Sequence, residues 1–266
     1  MNANSVAGAR LIRKHNVVRG SGLSTVTMIY AGMFYVATLL LVVGLVYKIF
    51  DYSRTPAPLK IPTTPAPITQ KGVVYRMAKE VVLFESLFKS NKWIWVFGWL
   101  FHFGLFLVLA RHLRYFTEPV WFWVGIVQPF GKYASIMMVV GLLGLLARRF
   151  LVDRVRYIST PSDILMLVLL IAIGVSGMLM TFVVHTYIVA LKAFFMGLMY
   201  FDVQPVPQDP ILLAHLALVA LLMVIFPISK LLHAPGIFFS PTRNQADNPR
   251  EHRHVAAWAA RLDQSN

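Results

Sequence analysis

Residues 93–112 read WIWVFGWLFHFGLFLVLARH, and this segment indicates the architecture of the whole chain. It is almost entirely apolar and as long as the roughly 20 residues that a helix needs to cross a hydrocarbon core about 30 Å thick. It also carries two histidines, His102 and His112. Because a bilayer tolerates an imidazole mainly where a partner or a metal satisfies it, both are candidate functional residues.

Four further apolar blocks of similar length occur along the 266 residues, of which 58% are hydrophobic, with a mean hydropathy of +0.65. In lipid each block must be helical to satisfy its own backbone groups. The first block is too long for a cleaved signal peptide, so we expect it to be retained. The sequence therefore predicts an all-α fold, a polytopic membrane protein with a bundle of five transmembrane helices. The predicted spans are residues 24–49, 93–113, 132–151, 162–186 and 211–232.

The net charge of +14 reflects membrane topology rather than nucleic-acid binding, because the 25 Lys and Arg residues lie in the segments between spans. Of these, 17 follow spans one, three and five, and 8 lie on the other side. The positive-inside rule then predicts an N-terminus outside and a C-terminus in the cytoplasm.

Residues 1–236 are predicted to form the transmembrane domain, with a cytoplasmic insertion at 51–92, and residues 237–266 a cytoplasmic tail. The insertion opens with a Pro-rich extended run and continues as an amphipathic helix that either lies on lipid or docks a partner. Residues 187–201 stay apolar beyond span four and must protrude, bend or turn. In the tail, Val255, Trp258 and Leu262 mark a possible short helix.

The chain has no cysteine. This excludes disulfides, thiolate-held iron–sulfur clusters, covalently attached c-type haem and thiol nucleophiles. Any redox centre must therefore be held without a covalent thiol link.

The last apolar block carries a second pair of histidines, His215 and His233, eighteen residues apart. Spans two and five run antiparallel because two crossings separate them. The early histidine of one span then lies at the depth of the late histidine of the other. This predicts that His102 faces His233 near the cytoplasm and that His112 faces His215 near the outside. Two imidazoles approaching from opposite helices suit a six-coordinate haem iron.

Helix geometry is compatible with two haems without requiring them. At 1.5 Å per residue, His102 and His112 are about 15 Å apart along their helix, and His215 and His233 are about 27 Å apart along theirs. Eighteen residues place His215 and His233 on one helical face, whereas ten leave His102 and His112 about 80° apart. Tilt and a kink at Pro227 would have to absorb the difference in length.

Other interpretations of these histidines remain open. Each is alternatively an ordinary polar residue of a helical bundle. A haem-free membrane transporter or proton channel would use them as proton relays and would be colourless. A structural anchor with vestigial sites would keep its function after His215 is replaced.

Several motifs resemble the haem b subunits of the respiratory nitrate reductase gamma (NarI) family. They are Trp99-Leu-Phe-His102-Phe-Gly, His112-Leu-Arg-Tyr-Phe, and His215 through Pro227-Ile-Ser-Lys230-Leu-Leu-His233. The phrases Lys60-Ile-Pro-Thr-Thr-Pro-Ala-Pro67 and His112-Leu-Arg-Tyr-Phe-Thr-Glu-Pro119 are similar to the branch of that family represented by the DsrM subunit of the DsrMKJOP sulfur-metabolism complex. The resemblance covers about residues 24–236.

The resemblance implies a quinol/quinone oxidoreductase subunit with two b-type haems, ligated by the pairs described above. Its substrate would be menaquinol or ubiquinol, in the inner membrane of a bacterium or archaeon. An iron–sulfur subunit on the cytoplasmic side would exchange electrons with it, and further membrane and periplasmic subunits would complete the complex. The direction of electron flow stays open.

The same resemblance places a quinol pocket at the outer haem, around His112 and Lys132. An equally good interpretation of Lys132 is a lysine that snorkels at the start of span three. Arg111 and Arg114 near the outer haem, and Lys230 near the inner one, would pair with haem propionates or anchor the helices at the interface. Lesser candidates, as outer proton acceptors, are Glu118, His185 and Asp202.

Overall fold

The computed structural model describes residues 23–55, 62, 64–248, 255 and 261, which form helices and turns. Five helices are long and apolar enough to cross a membrane, which confirms the predicted five-helix bundle. Spans one to five are Thr25–Arg54, Lys92–Tyr115, Phe122–Leu151, Pro161–Val184 and Pro210–Ile228.

Shorter helices occupy the connections between the spans. The α-helices are Gln70–Leu83 (the insertion helix), Glu85–Ser90, Asp153–Ile158, Ile188–Met199 (the linking helix), His233–Gly236 and Pro241–Asn244. Single 3-10 turns are Leu113–Tyr115, Phe226–Ile228, Lys230–Leu232 and Ile237–Phe239, and Met180–Val184 is a π-turn. Trp258 and Leu262 of the predicted tail helix lie outside the described residues.

The predicted starts of spans four and five are confirmed to within one residue, since the helices begin at Pro161 and Pro210. Span four begins with a capping box between Thr160 and Asp163. Span five begins where the Asp209 carboxylate accepts hydrogen bonds from the backbone N–H groups of Ile211 and Leu212. Both signals are local in sequence, because an N-cap side chain satisfies donors only two or three residues away.

The predicted start of span three at residue 132 is wrong, because the helix begins at Phe122. Pro129 lies inside this helix. A proline removes only one intrahelical donor, and transmembrane helices tolerate that loss. Lys132 therefore lies within span three and not at its start.

Span four is followed by a turn, as the length of its apolar run predicts. His185 adopts a left-handed conformation with φ of 54°, and the chain then enters the linking helix. This helix packs in a buried cluster with spans one and five, where Phe194 is fully buried near Phe34 and Leu212. The linking helix is therefore part of the protein core.

Span five contradicts the expectation that His215 and His233 share one helical face. Its α-helix ends at Ile225, and Pro227 is buried against span one, where a Cβ on Gly44 would lie 2.5 Å from the Pro227 Cβ. Proline lacks an N–H and its ring clashes with the carbonyl four residues earlier, so the helix stops. His233 therefore follows two 3-10 turns rather than five helical turns.

The spans pack in the order two, three, four, five and one. Spans two and three approach most closely, since a Cβ on Gly104 would lie 2.8 Å from the Ala134 carbonyl oxygen. Spans two and five, which carry His102, His112 and His215, are not among the closely packed pairs of the described residues, and His233 follows the end of span five. Spans three and four therefore lie between them in the packing order.

The insertion contains the predicted amphipathic helix, which breaks at Phe84 in a left-handed conformation. Its polar face is turned inward, where the Glu80 carboxylate accepts a hydrogen bond from Arg243 of the tail at 3.0 Å. Val74 and Val82 lie on its exposed face. The insertion and the tail thus form one unit beside the end of span two.

Replacing Gly141 by alanine should destabilise the bundle by about 1–3 kcal/mol, because overpacked sites cost that much. A Cβ there would lie 2.6 Å from the backbone nitrogen of Phe101, which cannot move aside like a flexible side chain. The matched control is Gly125→Ala on the same helix, where a Cβ meets nothing within 4 Å. Thermal unfolding in detergent, followed by circular dichroism, measures both. Equal melting temperatures would contradict the packing described here.

Candidate functional site

His102 and His233 lie side by side at one end of the bundle. Their ring centroids are 5.8 Å apart and their planes differ by 86°. Imidazole–metal bonds are about 2 Å long, so two imidazoles on opposite sides of one metal ion have centroids about 6 Å apart. Each ring can turn about its own metal–nitrogen bond, so the angle between the planes is compatible with ligation. This spacing therefore fits one metal ion between the two rings.

His112 and His215 form a second pair towards the other end of span two. Both are half-buried and close enough to interact electrostatically. The Tyr115 ring lies 5.8 Å from the His112 ring, between centroids. The structure therefore brings together the same two pairs that antiparallel spans predict, while their ligand roles stay a prediction.

The two histidines of span two are oriented by their own helix. The His102 Nδ1 lies 2.7 Å from the Gly98 carbonyl oxygen, and the His112 Nδ1 lies 2.6 Å from that of Val108. Because a carbonyl oxygen only accepts, Nδ1 must carry the hydrogen in both rings. The lone pair of each ring is therefore on Nε2.

The two histidines of span five use other acceptors. The His215 Nδ1 lies 2.8 Å from the Ser176 hydroxyl oxygen of span four. That hydroxyl donates to the Ala172 carbonyl at 2.8 Å, so it accepts from His215. The His233 Nδ1 donates to the Lys230 carbonyl at 2.9 Å. All four imidazoles therefore share one tautomer.

This arrangement fits haem iron better than a metal held by protein ligands alone. Ligating histidines almost always donate their other ring N–H to a carbonyl, carboxylate or water. No described residue forms a hydrogen bond with the Nε2 of these four histidines. The described chain also has no cluster of three or more His, Cys, Asp or Glu side chains able to hold a metal. A pair of axial imidazoles suffices only where a porphyrin supplies the remaining ligands.

Basic residues next to His112 converge on Gln128 of span three. The Gln128 Oε1 accepts from the Arg114 Nη1 at 2.9 Å and from the Arg111 Nε at 3.4 Å, and its amide nitrogen donates to the Arg111 carbonyl. The Arg114 Nε is buried and has no hydrogen-bond partner among the described residues. The sequence prediction missed Gln128, although a glutamine within an apolar helix by itself indicates a polar contact or a functional role.

The structure places the other predicted site residues apart from one another. The Lys132 ammonium lies 5.1 Å from the centroid of the Phe182 ring of span four, and it has no carboxylate partner among the described residues. Lys230 already has a carboxylate partner, since its ammonium lies 2.6 Å from Asp163. Its side chain is 75% exposed, and its predicted role in binding a haem propionate stays a prediction.

Of the candidate proton acceptors, two have polar partners of their own. Glu118 forms an ion pair with Lys192 of the linking helix. Asp202 accepts a hydrogen bond from Gln204 at 2.9 Å. The third, His185, lies in the turn after span four. None is placed in contact with His112.

The insertion also contributes a residue that the sequence prediction missed. The Phe84 ring packs against His102 with a centroid distance of 5.0 Å. The end of the insertion helix is attached to span two, since the Trp95 Nε1 donates to the Leu83 carbonyl at 2.6 Å. No local sequence pattern predicts the contact of Phe84 with His102, because this contact depends on the break at the end of the insertion helix.

Comparison with known proteins gives two kinds of match. Residues 68–248 match the family model described as nitrate reductase gamma subunit. A protein of Archaeoglobus fulgidus, named Hdr-like menaquinol oxidoreductase cytochrome b-like subunit, is 35% identical over 269 residues, covering 84% of this chain and 81% of its own. A protein of the same name from Archaeoglobus profundus is 30% identical over 287 residues, covering 89% and 84%.

Replacing Ser176 by alanine should disturb His215 specifically, because its Nδ1–H loses its acceptor. Loss of such a partner typically weakens metal binding about 10- to 100-fold. Haem retention during gel filtration and the optical spectrum measure the effect. Thr181→Val is the matched control, since its hydroxyl donates to the Gly177 carbonyl in the same span and touches no histidine. Equal retention in both variants would contradict a role for Ser176.

Proposed function

The chain belongs to the nitrate reductase gamma subunit family, and from this premise we propose that it is the dihaem cytochrome b membrane subunit of a redox complex. In this role it exchanges electrons between a membrane quinol and an iron–sulfur partner subunit. Its relatives are named menaquinol oxidoreductase subunits, which favours menaquinol as the substrate and quinol oxidation as the direction. The resemblance of its motifs to DsrM favours a complex of that type.

The shared tautomer of the four histidines carries this proposal. Each Nδ1–H has an acceptor within 2.9 Å, which leaves each Nε2 lone pair available to a metal. The rings of His102, His112 and His215 are partly buried between helices, where a ligand would supply the partner that lipid cannot.

His102 and His233 would hold the inner haem, and His112 and His215 the outer one. When bound, each haem supplies one-electron chemistry between ferrous and ferric iron. Arg114 and Arg111 would bind the propionates of the outer haem, since Gln128 orients both guanidinium groups and one buried N–H is still unpartnered. Lys230 would support the inner haem mainly through its backbone carbonyl, which accepts the hydrogen bond of His233, because its ammonium is paired with Asp163.

The quinol would bind near the outer pair, between His112 and Lys132. The Lys132 ammonium is held against an aromatic ring rather than by a carboxylate, so its N–H donors are free for a quinol oxygen. Phe182 would pack on the quinol ring. The role of Lys132 in this arrangement is to bind and orient the substrate.

The inner pair lies at the end of the bundle that carries most of the positive charge, where His233 is exposed. The positive-inside rule makes this the cytoplasmic side, with the N-terminus outside. The chain has no cysteine, so an iron–sulfur cluster must belong to the partner subunit that docks there. Residues 1–236 would form the transmembrane domain and 237–266 a cytoplasmic tail.

A reduced-minus-oxidised optical spectrum of the purified chain, with haem quantified per polypeptide, tests the proposal. Two b-type haems are expected. His102→Ala should remove the inner haem and leave the outer one, and His215→Ala should do the reverse. His185→Ala, outside both pairs, is the control and should keep two haems. A colourless protein would sink the proposal and favour a transporter or channel.

Lys132→Met should slow haem reduction by a menaquinol analogue at least 10-fold while leaving the spectrum and the haem content unchanged. The loss arises because the quinol oxygen loses a charged hydrogen-bond donor. Stopped-flow reduction measures the rate, and dithionite gives the total reducible haem. Lys92→Met is the matched control, because this lysine also lies over an aromatic ring, Phe88, but at the opposite end of span two. Similar quinol rates in both variants would exclude Lys132 from the quinol site.

A further inference from the structure

His233 differs from the other three histidines in how it is held. His102, His112 and His215 lie on long helices. His233 instead follows Pro227 and two 3-10 turns, and it is exposed. A short irregular segment has few hydrogen bonds of its own to define its conformation. Some other contact must therefore fix the ring beside His102.

That contact runs through Lys230. The Lys230 carbonyl accepts the His233 Nδ1–H at 2.9 Å, and the Lys230 ammonium lies 2.6 Å from the Asp163 Oδ1 at the start of span four. One residue therefore binds His233 through its backbone and span four through its side chain. A shift of Asp163 would move the acceptor of the His233 hydrogen bond.

Asp163 is itself rigidly held. Its side chain is only 5% exposed, and its Oδ2 accepts from the Thr160 backbone N–H and hydroxyl at 3.1 and 3.0 Å. Arg149 of span three adds a second cation at 3.6 Å. The second oxygen, Oδ1, faces Lys230, so the capping box of span four provides a fixed anion for the end of span five.

We propose that Asp163 is a positioning residue for the inner haem, acting through Lys230 to set the direction of the His233 ring. This inference rests on the proposed function, because it assigns His233 as an axial ligand. Span four then orients both ligands of span five, through Ser176 directly and through Asp163 indirectly, although it contributes no ligand. The two haems differ in how their span-five ligand is held, and only the inner one depends on an ion pair.

The test measures the electron paramagnetic resonance signal and the midpoint potential of each haem separately. Lys230→Met removes the ion pair without touching the capping box, and it should shift the inner-haem signal and lower retention of that haem about 10- to 100-fold. The outer-haem signal should not move. Asp163→Asn should give the same shift, and Asp163→Glu, which keeps the charge, should restore most of the wild-type signal.

Thr160→Ala is the control for a merely structural role, because it removes the hydrogen bonds of the Thr160 hydroxyl, while the Thr160 backbone N–H, Arg149 and Lys230 still hold the Asp163 carboxylate. It should lower the melting temperature without moving the inner-haem signal. Unchanged inner-haem spectra in Lys230→Met, or an equal shift in Thr160→Ala, would overturn the positioning role while leaving two haems in place. If Lys230→Met does not fold, Asp163→Glu against Asp163→Asn decides the same question. A wild-type chain without haem would overturn the proposed function and this inference together.

Discussion

An imidazole inside a bilayer has two ring nitrogens, and each needs a partner because the hydrocarbon offers none. In this protein the Nδ1–H of each of the four paired histidines donates to an acceptor supplied by the chain: the carbonyls of Gly98, Val108 and Lys230 and the hydroxyl of Ser176. The Nε2 of each ring has no hydrogen-bond partner among the described residues, and this is the atom that the proposed haem would bind.

The bundle keeps the histidine-bearing spans apart instead of packing them together. Span three binds span two through close backbone contacts at Gly104 and Gly141, and span four then continues the row to span five. On the other side, span five packs on span one, where Gly44 receives Pro227. Spans two and five are therefore linked through their neighbours and not by close packing against each other.

The break at Pro227 explains how the two histidine pairs can lie at matching depths although their spacings along the chain are unequal. Ten residues separate His102 from His112, which is about 15 Å of helix, and the helix that follows His215 ends ten residues later at Ile225. The remaining residues form 3-10 turns that lead to His233 beside His102. A regular helix would have placed His233 about 12 Å beyond Ile225 along the same straight axis. The expectation of a shared helical face was wrong because it treated Pro227 as a kink in a continuous helix, whereas the α-helix ends at Ile225.

Much of this protein follows from its sequence alone. Five spans, the capped starts at Asp209 and Thr160, and the pairing of histidines by depth all follow from hydropathy, capping and antiparallel crossing, which depend on neighbouring residues or on chain order. The start of span three was misplaced because Gln128 and Pro129 interrupt its apolar pattern. Three features depended on the folded structure. They are the hydrogen bond of His215 to a different helix, the contact of Phe84 with His102 and the ion pair of Asp163 with Lys230. They join residues far apart in the chain, and such contacts are set by how helices pack, for which a linear pattern carries no signal.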